Sequence, residues 1–174
     1  MPIFGGESDS SNSPSWVPKN EFSKIDLGFL YQIPLKVINE KLSWKTEFLG
    51  QYSFNHLFGP EQFYIGGQNS VRGFVDNSLY GDDGYYWRNE LEYYFTLQFG
   101  SELIFVNCFG GYDFGWVNSN VDNSYTGSLS GIAGGISFFW KGLSIELFQS
   151  RPITILSDMQ REGTQTWLRL SYNI

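Results

Sequence analysis

The chain has 174 residues, 19% of them aromatic and 20 of them glycine, a composition that favours strands over helices. Its formal charge of −7, from 18 Asp and Glu against 11 Lys and Arg, argues against a partner held by phosphate neutralisation, so no nucleic acid is expected. Cys108 is the single cysteine, which excludes an internal disulfide, and there is no run of about 18 apolar residues to make a membrane-spanning helix.

Residues 1–21 are rich in Ser, Asn, Pro and Gly and read as loop. They lack a basic segment followed by an apolar run, so they are not a signal peptide. From residue 22 the chain alternates. In "KIDLGFLYQI", Ile25, Leu27, Phe29, Tyr31 and Ile33 share one face. In "KLSWKTEFLGQYSF", Trp44 and Phe48 oppose Lys45 and Glu47, and in "YYWRNELEYYFTLQF", Trp87, Leu91 and Tyr93 oppose Arg88, Glu90 and Glu92. "ELIFVNCFGGYDFGWV" sets Val106, Cys108, Tyr112, Phe114 and Trp116 against Asn107, Gly111, Asp113 and Gly115. "SLSGIAGGISFFW", "GLSIELFQSR" and the terminal "TWLRLSYNI" complete a set of seven expected strands. A period of two over such lengths is the mark of a strand with two unlike faces.

Most of these segments reach the roughly 9–11 residues that cross a bilayer when tilted. Their connections alternate: residues 34–40, 99–101 and 140–142 are short, whereas 55–83, 118–126 and 152–163 are long and polar or Gly-rich. Outer-membrane barrels alternate in this way, with short periplasmic turns and long outer loops. The expected fold is therefore all-β, an antiparallel transmembrane β-barrel in the bacterial outer membrane. Its apolar face meets the lipid bilayer, and Lys45, Glu47, Arg88, Glu90, Glu92, Asp113, Glu146 and Arg169 face a wet lumen. Trp44, Trp87, Trp116 and Trp140 suit interfacial girdles. A soluble β-sandwich binding module is the alternative, since its strands also alternate. Seven strands do not close a single-chain barrel, and an open sheet leaves bare edges in lipid. The expectation is the C-terminal part of a larger barrel.

Arg72, in "SVRGF", lies in the long connection 55–83 with no acidic residue within three positions. On the residues alone it reads as an exposed loop arginine. If it turns inward it needs a carboxylate, and the bidentate geometry suits Arg. Asp113 and Glu90 both have inward parity and are both candidates. Gly111 and Gly115 flank Asp113 on its face and leave room for close approach.

Three stretches together resemble a known family: "GG…SVRGF" from Gly66 to Phe74, "GDDGYYWRNEL" from Gly81 to Leu91, and "GYDFG" from Gly111 to Gly115. They are similar to the outer-membrane transporters of two-partner secretion, the hemolysin secretion/activation proteins, within the superfamily of outer-membrane assembly factors. The resemblance runs from about residue 22 to the end. It implies a barrel of about sixteen strands, preceded by periplasmic POTRA domains. It implies that residues 55–83 fold into the lumen, with Val71, Arg72, Gly73 and Phe74 as the loop motif and Asp113 as the partner of Arg72, and Glu90 second. It implies a secreted partner protein as cargo, with insertion of membrane proteins as the alternative function. It also implies that the barrel-assembly machinery reads the last strand, here Leu168, Leu170, Tyr172 and Ile174, where Ile174 departs from the family's terminal aromatic.

No enzyme chemistry, cofactor or metal is expected. His56 is the single histidine, which leaves no zinc cluster or triad. Asp82 and Asp83 read as solvated loop acids, and "IGGQNS" lacks the lysine and helix of a phosphate loop.

Overall fold

The structure, a computed structural model, describes residues 14, 16–120, 126–157 and 159–173. Seven long strands form one antiparallel sheet: β1 (Lys24–Pro34), β2 (Leu42–Ser53), β5 (Asp83–Phe99), β6 (Glu102–Asn118), β7 (Thr126–Trp140), β8 (Leu143–Thr154) and β9 (Gln165–Tyr172), in the order β1-β2-β5-β6-β7-β8-β9. Each expected strand has its counterpart within a few residues. The two shortest connections close on left-handed residues, Gly100 at φ 61° and the pair Lys141 and Gly142 at φ 44° and 83°. That conformation suits the twist of a tight hairpin.

The connection 55–83 is more ordered than a loop. It contains a single helical turn (Gly59–Glu61) and two three-residue strands, β3 (Phe63–Ile65) and β4 (Leu79–Gly81), which pair with each other. Three residues are too few for a period to show. Their pattern of buried, exposed, buried appears only because the ribbon lies on one face of the large sheet.

The register decides that face. Glu47 stands opposite Arg88, Arg88 opposite Asp113, and Asp113 opposite Gly131, so all four lie in one row of the loop-bearing inner face. The principal core forms between loop and wall: Phe63, Ile65, Val71, Phe74 and Leu79 pack on Tyr86, Val117 and Leu129, and Ile155, Leu156 and Met159 from the connection after β8 seal it. The opposite face stays bare, with Leu27, Phe29, Tyr31, Leu97, Leu147 and Leu168 exposed. A β-sandwich buries its apolar faces between two sheets. Here the long strands share one sheet, so the sandwich alternative is corrected. Polar residues on the outward face pair among themselves: Thr46 and Asn89 bond each other at 3.0 Å, Thr46 accepts the Trp87 indole N–H at 2.6 Å, and Gln149 donates to Thr166 at 3.2 Å.

Phe74 is almost fully buried in the loop–wall core. Phe74→Ala should destabilise loop packing by about 3–5 kcal/mol. The expected outcome is a loop cut by added protease in intact cells while the barrel stays resistant.

Candidate functional site

The loop tip is built by glycines and one serine. Gly66 and Gly67 take φ of 105° and 108°, which turns the chain out of β3. The Gly67 amide then bonds the Val71 carbonyl at 3.0 Å, and the Gly66 amide bonds the buried Ser70 hydroxyl at 3.0 Å. Gly73 has φ 107° and presses on the backbone of Arg151 in β8, where any side chain would collide.

Between these turns Arg72 meets the wall. Its backbone amide donates to Asp113 Oδ2 at 3.0 Å, Nε to the same oxygen at 2.6 Å, and Nη2 to Oδ1 at 2.7 Å. Nη1 donates to Glu90 Oε1. The guanidinium therefore serves both candidate carboxylates, one along its Nε/Nη2 edge and the other from Nη1. Lys45 Nζ reaches Glu90 Oε2 at 3.3 Å, and Arg88 lies 3.6 Å from Glu90, 3.7 Å from Glu47 and 4.0 Å from Asp113. Three cations thus face three carboxylates. The balance matters because the Arg72 side chain is only 4% exposed and that of Asp113 is fully buried. Unpaired charges there would carry a desolvation cost of several kcal/mol.

Missing side chains make the approach possible. A Cβ on Gly111 would lie 2.8 Å from Arg72 Nη2, and one on Gly115 would lie 2.8 Å from Val71 Cγ2. Gly131 on β7 also belongs to the site, because a Cβ there would run into the Arg72 carbonyl oxygen. Sequence reasoning did not single it out among the glycines of "SLSGIAGGISFFW". Its signal was its register opposite Asp113, which the one-dimensional pattern does not contain.

Two further anchors were also missed. Asp82 is fully buried, which corrects the reading of it as a solvated acid. It accepts from the amides of Leu57 at 2.8 Å and Asn120 at 2.7 Å, from Ser119 Oγ at 3.1 Å and from Gln62 at 3.3 Å, and lies 2.9 Å from His56 Nδ1. Burial pushes its carboxyl up, but the hydrogen bonds, that with His56 foremost, outweigh this and hold it below the ordinary carboxylate value. Asp83 accepts the Ser53 amide at 2.7 Å. Glu162, from the connection after β8, accepts the amides of Val75 at 2.6 Å, Asp76 at 3.3 Å and Asn77 at 2.9 Å, and the Asn77 side chain at 2.6 Å. The loop is thus held at its tip by Asp113 and Glu90, at its return by Glu162 and at its root by Asp82.

Leu168, Leu170 and Tyr172 are not brought to this site. They stand exposed on the outward face of β9, opposite Leu147, Ile145 and Leu143 of β8. Ile174 lies outside the described residues. Cys108 is half-buried on the outward row with Tyr93 and Ile136.

A single antiparallel wall, apolar outside and charged inside, with a loop clamped to its inner face, defines a segment of an outer-membrane β-barrel. The family model described as haemolysin secretion/activation protein ShlB/FhaC/HecB matches residues 1–138, and the chain belongs to that family. It is 37% identical over 139 residues to the outer membrane transporter CdiB of Escherichia coli, covering 79% of this chain and 22% of that protein. It is 33% identical over 126 residues to the hemolysin transporter protein ShlB of Serratia marcescens, covering 72% of this chain and 22% of that one. The solved structure of CdiB from Escherichia coli superposes with a TM-score of 0.85 at 30% identity, over 99% of this chain and 31% of CdiB. The chain therefore spans between a fifth and a third of the length of these relatives.

Asp113→Ala strands the Arg72 charge against a fully buried position and should cost about 3–5 kcal/mol of loop docking. Arg72→Lys should keep only part of the docking, because an ammonium does not span both carboxylates. Gly131→Ala should dislodge the tip with every charge intact. The check in each case is the labelling rate of a cysteine placed at Ser70, which is buried while the tip is docked.

For Asp82 the sign follows from its lowered value. Its contribution to stability is present above about pH 4, the unfolded value, and is lost as pH falls through the lower folded value. Asp82→Asn should destabilise the folded protein by about 1–3 kcal/mol at neutral pH and flatten the acid limb. Thermal unfolding in detergent across pH 3–7 measures both.

Proposed function

We propose that the chain is the C-terminal part of a translocation pore of two-partner secretion, which passes an unfolded partner protein across the bacterial outer membrane. The observation that carries this reading is the buried clamp of Arg72 on Asp113 and Glu90. It places a folded loop against the inner wall of a barrel segment, where it narrows the path and fixes the wall's shape. The names of the relatives, outer membrane transporter and hemolysin transporter protein, favour transport over the insertion of other membrane proteins.

The mechanism is passive. The charged cluster around Arg72 is neutral as a set and buried under the loop tip, so it sets no strong electrostatic trap for a passing chain. The lipid bilayer is the partner of the outward face, whose exposed Leu, Phe and Tyr side chains suit it. The barrel-assembly machinery is the partner of β9 during insertion, through Leu168, Leu170 and Tyr172. No enzymatic step and no cofactor enters this scheme.

Arg72→Ala should lower the secretion of the partner protein severalfold while the amount of barrel in the outer membrane stays near normal. Quantifying the partner in the medium and the barrel in membrane fractions separates the two. Undiminished secretion by that variant would sink the role given to the clamp.

A further inference from the structure

Inward positions on the wall of a water-filled barrel are expected to be polar. Around the loop, Tyr86, Val117 and Leu129 are covered by the loop's own side chains, whereas Leu30 and Leu49, inward on β1 and β2, stay exposed. On the other side of the Arg72 tip, toward the turns at 100–101 and 141–142, lies a second apolar set that is only partly covered: Phe148 is buried and Arg72 stands over Phe109, whereas Leu103, Phe105 and Phe139 are exposed. Phe109, Phe148 and Trp167 form an arc across β6, β8 and β9, with successive ring centroids 6.2 and 6.4 Å apart. The gap on β7 is Gly135, opposite both Phe109 and Phe148, and a side chain there would collide with Phe148. Four residues nearer the turns, Phe105 and Phe139 stand opposite each other, 58% and 43% exposed, with Leu103 beside them. Between the two apolar rows runs a polar one of Asn107, Ser137, Glu146 and Arg169.

We propose that this inner wall binds the polypeptide in transit, as an extended segment that docks apolar or aromatic side chains first on the exposed Phe105 and Phe139 and then on the half-buried Phe109 and Trp167 of the arc. The inference rests on the translocation reading and names the chemistry of the guest. Three features select an extended chain. The rows lie four residues apart along β6, about 13 Å, and an extended guest puts every fourth residue at that spacing, on one face. The residue between them meets the polar row, where Glu146 and Arg169 pair at 2.9 Å, so peptide groups find donors and acceptors without an unpaired charge. The arc also leads to the clamp, since the Arg72 guanidinium lies 5.8 Å over the Phe109 ring. An ion or small polar solute has no use for five rings, and a lipid tail has none for the charged row between them.

The test uses the protein in its own outer membrane, secreting its partner. A photo-reactive benzoylphenylalanine replaces Phe105 or Phe139, and in a control Leu147 on the outward face. Light should join the partner to positions 105 and 139 during secretion, and not to 147. The double variant Phe105→Ser, Phe139→Ser should secrete about tenfold more slowly, equivalent to about 1.4 kcal/mol, with the barrel inserted and the loop still protected. Adducts only to the transporter's own chain, or a double variant that secretes at full rate, overturn the inference and leave the translocation reading intact. A parent protein that exports no partner overturns the translocation reading, and the inference with it.

Discussion

One guanidinium ties the loop to the wall. Arg72 spends its backbone amide and three side-chain nitrogens on Asp113 and Glu90. Ion pairs at a protein surface contribute little, since water screens them and side-chain entropy opposes them. This one is different because both partners are buried, and the alternative to pairing is a stranded charge. Several otherwise unconnected features follow from it. Gly111, Gly115 and Gly131 clear the wall for the tip, Gly73 lets the backbone press on β8, and Lys45 and Arg88 balance the second and third carboxylates.

The site is also a case of one chain supplying both core and function. A membrane barrel has no packed interior of the ordinary kind, because its apolar residues face lipid. The buried apolar cluster here sits between loop and wall. Whatever displaces the loop therefore removes much of the buried apolar contact in one step and, on the proposed function, opens the path. Glu162 and Asp82 hold the loop at two further points, both outside the charged row. The clamp is thus graded, with separable contacts at tip, return and root.

Polar and apolar rows alternate down the inner wall below the clamp, and this gives the wall two characters. The charged row near Arg72 is saturated internally and offers a guest little. The aromatics nearest the short turns, Phe105 and Phe139, are exposed and, on the proposed reading, offer it contact area. If the proposed guest is an extended chain, such a surface holds it weakly at several points, which suits passage better than one tight site.

Much of the fold could be read from the residues. Side chains alternate along a strand as a matter of covalent geometry, so segments such as "YYWRNELEYYFTLQF" declare their two faces without any tertiary information. Loop lengths are equally local. What the residues did not contain was level. Parity put Asp113 and Glu90 on the inner face but gave no ground for choosing between them. Only the register, which sets Glu90 opposite Gly111 two residues from Asp113, shows that a single guanidinium reaches both. The same holds for Gly131, for Glu162, and for Asp82, which looked solvated until the residues around His56, Leu57 and Asn120 folded over it. Alternation is a property of one strand and is written in one strand's sequence. The contacts by which Arg72 and Glu162 anchor the loop join positions 18 to 87 residues apart, and chain folding alone decides which of them meet.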